Sequence, residues 1–262
     1  MTRVNQSRGV SVRFIDLSVT IRNQSFEPGG PEIIRTNHVE AARKRAGDFN
    51  FLPSGYPDGL ALAHERVTLS AHGGTHVDAP LHYGPLCEGK PSKTIEEVPL
   101  EWCYGPGVVL DFSHKKPAEF ITRADIIAAL DKIGHKLKPR EIVLLRTDTA
   151  KHFDNPQFPN LQPGLHPDGC HYILDQGVRM IGIDAWGLDR APRDMAADHK
   201  KGIPNSLWPT HMVGRTREYL QIERLANLQA LPPTGFTVVA FPVKIEQGTA
   251  GWSRVVALVQ DS

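Results

Sequence analysis

Cysteine is scarce in this chain: Cys87, Cys103 and Cys170 are all there are, odd in number and far apart. That argues against a disulfide framework or a cysteine metal site and predicts reduced, unpaired thiols. Long apolar runs are lacking too, so no segment reaches the roughly 20 residues that span a bilayer. Met1 to Gly9 also has no apolar stretch of the secretory type. The cytoplasm is therefore the expected compartment, and no membrane partner is expected. Neither sign of charge is in excess: 30 Lys and Arg stand against 29 Asp and Glu, with no basic block, which argues against a nucleic-acid partner. There is no GxSxG elbow for a serine hydrolase and no glycine pattern for a nucleotide fold. What remains is 262 residues, 40% apolar, enough for a sizeable core and read as one domain over 1–262.

Against that plain background, one run stands out: His72-Gly73-Gly74-Thr75-His76-Val77-Asp78-Ala79-Pro80-Leu81-His82. Two imidazoles four residues apart, then a carboxylate, supply the nitrogen and oxygen donors that Zn²⁺ or Mn²⁺ takes. His72, His76 and Asp78 are the expected ligands. Gly73 and Gly74 let the backbone turn both imidazoles onto one centre, because glycine accepts dihedral angles closed to other residues. Thr75 is expected to hydrogen-bond locally, and Pro80 to fix the exit of the chain and hold His82 nearby. An ion with three protein ligands keeps room for a water and a carbonyl oxygen, polarising the one and acidifying the other. His82 is the expected base, since imidazole titrates near working pH.

The run HxGTHxDxPxH resembles the defining motif of the cyclase family of metal-dependent hydrolases, which includes bacterial kynurenine formamidases, isatin hydrolases and trans-dienelactone hydrolases. The resemblance extends to Gly182-Ile183-Asp184-Ala185-Trp186-Gly187-Leu188-Asp189, similar to a GxDxxxxD segment, and to Pro163-Gly164-Leu165 before it. His211 and Glu223 stand twelve positions apart, as family members place a second histidine and a glutamate. The stretch Glu246 to Trp252 departs from the tighter connection of the shorter formamidases. The resemblance implies a swivelling β/β/α fold with a β-rich core and flanking helices, a homo-oligomer (dimer or tetramer), and one or two divalent ions. It implies that His211 and Glu223 hold a second ion bridged by Asp78, the alternative being that they line the substrate and proton path, with His211 catalytic. The expected activity is opening or cleavage of a cyclic or aryl amide in the manner of isatin hydrolase. Alternatives are an arylformamidase acting on N-formylkynurenine, a lactone hydrolase or a metal-dependent cyclase of secondary metabolism.

Periodicity alone predicts a mixed α/β or α+β chain. Val10, Val12 and Phe14 alternate as in a half-buried strand, and strands are expected at Arg66 to Leu69, Gly107 to Phe112, Ile142 to Leu145, Met180 to Ile183, Tyr219 to Glu223, Phe236 to Val243 and Arg254 to Val259. Thr122 offers an N-cap for a helix from Arg123 to Ile133 stopped by Gly134, and a second helix is expected from His166 to Gln176. Residues 22–64, with Pro28-Gly29-Gly30-Pro31, a charged helical stretch near Val39 to Ala46, and Phe49, Phe51 and Tyr56, read as a long substrate-side loop, since connections of this length are usually functional or disordered. Its aromatics, with Trp186, are candidates for a pocket holding a flat substrate. Asp184 and Asp189 are expected to cap turns, and Cys170, His166 and His171 to serve packing or surface roles.

Overall fold

In the computed structural model, which describes residues 3–5, 11–23 and 30–260, ten strands form one sheet. From edge to edge they are Arg3–Asn5, Ser11–Asp16, Val256–Gln260, Phe236–Val239, Tyr104–Asp111, Ile142–Arg146, Met180–Ile183, Leu220–Glu223, His76–Asp78 and Ala250–Trp252. Four central strands, from Tyr104–Asp111 to Leu220–Glu223, run parallel, and their flanks are antiparallel.

Ile142-Val143-Leu144-Leu145 shows why the centre is continuously apolar. Alternate side chains of a strand leave opposite faces, and here both faces are covered. Ile142 and Leu144 join one core with Ile15, Val77, Ile222 and Val238, whereas Val143 and Leu145 join another with Ile126, Leu130, Ile173 and Ile183. The first core gathers residues from both flanks, because the sheet curls around it. The second lies beneath the helices Arg123–Lys132 and Pro167–Asp175.

Local signals set those helices. Thr122 accepts from the Asp125 amide while Asp125 accepts from the Thr122 amide, a capping box worth about 1 kcal/mol. Gly134 takes φ 63° just past the helix end, where a left-handed residue closes the last turn.

Residues 22–64 differ from the expected loop. They contain the strand Glu32–Thr36, paired with His64–Thr68, and the helix His38–Asp48, capped by Asn37 in a box with Glu40. Val10 and the Pro28-Gly29 pair lie outside the described residues. No helix among the described residues is long and apolar enough to cross a membrane.

Candidate metal centre

The strand His76–Asp78 pairs antiparallel with Leu220–Glu223, setting Glu223 opposite His76 and Gln221 opposite Asp78. Strand alternation then projects His76, Asp78 and Glu223 from one face of the sheet. His72 comes from the preceding turn, where Gly74 adopts φ 62°. His82 sits in the short helix Pro80–Tyr83, with Pro80 in its first turn, and His211 in the helix Pro209–Val213. Thr75 bonds across the molecule instead of locally: it donates to the Arg224 carbonyl at 2.6 Å and accepts from the Val19 amide, tying the turn to two distant segments.

Side chains from the histidine motif, the Glu223 strand and the His211 helix converge around Asp78. His72 Nδ1 is 2.8 Å from Asp78 Oδ1, His76 Nε2 is 3.3 Å from the same oxygen and 3.5 Å from Glu223 Oε2. His211 Nε2 lies 3.4 Å from Glu223 Oε1 and 3.9 Å from Asp78 Oδ2. Two donor sets therefore share Asp78: His72, Asp78 and His82 on one side, His76, Asp78 and Glu223 on the other. His76 Nδ1 sits 2.9 Å from the Gly74 carbonyl and donates to it, so Nε2 is the nitrogen that faces the cluster and presents a lone pair once its own proton is displaced.

Four atoms in this cluster, His76 Nε2, both Asp78 oxygens and Glu223 Oε1, are buried without a hydrogen-bond partner. Burying polar atoms unpaired costs about 1–3 kcal/mol each, more when charged. Such a set of convergent orphaned donors fits a divalent cation, and two carboxylates match its charge.

The protonation pattern follows from the same packing. Burial pulls His76 down, but the Asp78 and Glu223 carboxylates outweigh it and hold the imidazole at about 9. Burial likewise lowers His211, which Asp189 and Glu223 then raise well above 6.5. Burial would raise both Asp78 and Glu223, yet the neighbouring imidazoles keep each well below the ordinary carboxylate range. His82, at the solvent-facing rim, moves the other way: desolvation, then the adjacent His72 and His211, lower it below 6.5 despite both carboxylates.

Asp189 caps the Thr210 and His211 amides at 2.7 and 3.1 Å, as expected of a turn carboxylate, and its Oδ2 also lies 2.5 Å from His211 Nδ1. The sequence reading missed that second task, in which a carboxylate fixes the tautomer and aim of a site histidine. Asp184 accepts from the Thr147 amide and hydroxyl and the Asp148 amide, and has no part in the cluster.

Beside the cluster opens a cavity of about 170 Å³, walled by Trp186, Gly187, Pro192, Met195 and Trp208, with Gln162, Arg190 and Arg224 on its polar side. Trp186 is among the wall residues, with the Arg224 guanidinium 3.9 Å from its ring centroid. Phe49, Phe51 and Tyr56 are not: they lie on the 32–68 segment, with Phe49 74% exposed. Gln162, buried, accepts from the Trp186 amide and donates to the Gly187 and Asp189 carbonyls, clamping the wall. Met195, Trp208 and Gln162 carried no motif signal, although Trp208 directly precedes the His211 helix. A larger cavity of about 330 Å³, lined by Phe112, Ile133, Leu228 and Leu231, contains none of the clustered donors.

Donors sharing a buried carboxylate, on a curled sheet with outer helices, define a candidate metal centre in a protein of α/β class. The chain belongs to the family described as Putative cyclase, whose model matches residues 15–190. It is 30% identical to an isatin hydrolase of Roseibium aggregatum over 213 residues, 77% of each chain. It is 31% identical to a kynurenine formamidase of Salinibacter ruber over 191 residues, 72% of this chain and 77% of that one. Among solved structures, an isatin hydrolase bound to the product analogue thioisatinate superposes with a TM-score of 0.74 at 24% identity, over 95% of this chain and 93% of that one. Isatin hydrolase A from Ralstonia solanacearum gives 0.74 at 23% identity, over 95% and 92%. These likenesses establish the shared fold.

Proposed function

We propose that the chain hydrolyses a cyclic or aryl amide, with isatin as the leading substrate and an aryl formamide such as N-formylkynurenine as the second. The observation that carries this reading is the set of orphaned buried donors around Asp78, next to a small cavity walled by two tryptophans. A pocket of that size with flat walls suits a planar fused ring better than a long flexible chain. The formamide reading is kept because one relative is named a kynurenine formamidase.

A divalent ion, Mn²⁺ or Zn²⁺, held at Asp78 by His72 on one side or by His76 and Glu223 on the other would supply polarisation of the scissile carbonyl and acidification of water, the two histidines read from the sequence as sharing one ion being divided between these sets. His211 stands 3.4 Å from Glu223 at the edge of the second set, where it either joins a second ion or lines the proton path. His82, kept neutral by its surroundings, takes the proton of the attacking water and returns it to the leaving nitrogen as the C–N bond breaks and the C–O bond forms. Asp189 keeps His211 aimed, and Gln162 keeps Trp186 against the substrate plane. We also place the chain in the cytoplasm, on the support of three buried, unpaired thiols, and in a homo-oligomer.

Metal analysis of purified protein, followed by an ultraviolet assay against isatin and N-formylkynurenine, tests the reading. Wild type should carry one or two ions per chain and turn over at least one substrate, and Asp78→Ala should lose both while remaining folded. An Asp78→Ala variant with full metal content and normal rate would overturn it.

A further inference from the structure

The central strand Tyr104–Asp111 is partnered unevenly. On one edge it pairs with Ile142–Arg146 from Gly107 to Asp111, whereas on the other it pairs with Phe236–Val239 only from Tyr104 to Gly107. The Phe112 amide donates to the Arg146 carbonyl and the Val109 amide to the Pro233 carbonyl. Backbone groups alternate between the two edges of a strand, so those of Leu110 and Phe112 face the first edge and those of Val109 and Asp111 the second. Among the described residues, the Val109 carbonyl and the Asp111 N–H have no hydrogen-bond partner on that second edge.

A cavity of about 330 Å³ opens at this free edge, within the range of small-molecule sites, about 300–1,000 Å³. It is a slot between two layers. Ala129 and Ile133, which pack against the core beneath the helices, form one wall; Leu228 and Leu231, which belong to the other core, form the opposite one, with Val109 and Phe112 between them. Charges at its rim are already matched within the protein. Arg146 is joined to Asp111 at 3.2 Å and to Asp148 at 2.7 Å, Asp125 is joined to Lys115 at 2.8 Å, and Lys132 is exposed at the outer end. A neutral ligand is therefore favoured over an ion.

Apolar walls on either side take a flat molecule, and a carbonyl and an N–H two residues apart on one strand edge bond a ligand that carries a donor beside an acceptor. A lactam fused to an aromatic ring has that form, its N–H and carbonyl side by side in the ring plane. A peptide strand does not suit the slot, since the free edge spans only Val109 to Asp111 and strand addition relies on a row of main-chain bonds. We propose that this slot is a second binding site, apart from the metal centre, for a planar, neutral aryl lactam, whose N–H donates to the Val109 carbonyl and whose carbonyl accepts from the Asp111 N–H. Binding there does not rest on the hydrolase reading.

Oxindole, which lacks the reactive ketone of isatin, is the probe, and amide NMR of isotopically labelled, metal-loaded full chain reads both cavities at once. Oxindole should shift the Asp111 amide together with those of Ala129 and Leu231, with a dissociation constant of about 1 mM or below, as open to a fragment of this size. N-methyloxindole keeps the shape but loses the donor, and should bind the slot about fivefold more weakly. Ala128 is exposed on the helix at the mouth of the slot, so Ala128→Phe should block it and abolish those shifts with an unchanged circular dichroism spectrum. Should that variant misfold, the comparison of the two lactams on wild type decides alone. Shifts confined to Trp186 and Trp208 would place the lactam in the catalytic cavity only and overturn the proposal. No shift at Asp111, equal binding of the two lactams, or undiminished slot binding in a folded Ala128→Phe protein would overturn it as well.

Discussion

At the residue scale, Asp78 is the pivot, since its two oxygens face His72, His76 and His211, belong to both donor sets and are buried without a hydrogen-bond partner. His82 is separated from the ligands by its electrostatics: His76 is held protonated near neutral pH, whereas His82 is pushed neutral. His82→Ala should therefore keep near-normal metal content and lose about 10² to 10⁴ in kcat, the range of a positioned acid or base. Loss of metal along with rate would make it a ligand. The raised His76 has a consequence for the metal-free protein. A histidine moved from 6.5 to about 9 contributes stability that is complete below pH 6.5 and is lost as pH rises through 9. A cation must displace that proton. Loading metal-free protein at pH 7.5 should thus release at least one proton per ion, measured by titration calorimetry in buffers of different ionisation enthalpy, and metal-free protein should melt lower at pH 9 than at pH 6.5. Buffer-independent heats would contradict the assignment of His76 as a ligand.

At the level of elements, the sequence was most legible where one local signal sufficed. The Thr122 cap, the Gly134 stop and the apolar run at Ile142 to Leu145 stand where periodicity put them, because each needs only neighbouring residues. The histidine run read as a tight turn, but its second half, His76–Asp78, is a strand; pairing with Leu220–Glu223 from far along the chain is not written in the run itself. For the same reason His211 and Glu223 were visible only through family resemblance, and Asp189 as an orienting carboxylate was not visible at all. Within residues 22–64 the strand Glu32–Thr36 read as loop because it is largely exposed and shows no apolar period, whereas its ribbon partner His64–Thr68 was expected two residues late, at Arg66 to Leu69, and the charged stretch near Val39 to Ala46 lies in the helix His38–Asp48. Turns carry constraints that no motif records. A Cβ built on Gly187 would stand 2.9 Å from Glu223 Oε1, so Gly187→Ala should shift that carboxylate and lower metal affinity or kcat by about 10- to 100-fold, the range for disturbing groups around a metal, with Tm little changed. Unaltered kinetics in a folded Gly187→Ala protein would show that the Glu223 position is not critical.

For the whole molecule, the curled sheet delivers donors from three places in the chain to one face, and the loop after Met180–Ile183 walls the resulting cavity with Trp186. Selectivity then follows from shape. Trp186 and Trp208 offer flat surface worth about 0.5–1.5 kcal/mol per well-placed aromatic contact beyond area burial, which a small aliphatic amide cannot collect. The most direct measurement of the account is kcat/KM of metal-loaded protein on isatin beside an aliphatic amide of similar reactivity. Opening of isatin faster by about tenfold is the predicted result, since the two tryptophan contacts together are worth about 1–3 kcal/mol. Equal or better turnover of the aliphatic compound, with the metal site fully occupied, would contradict it.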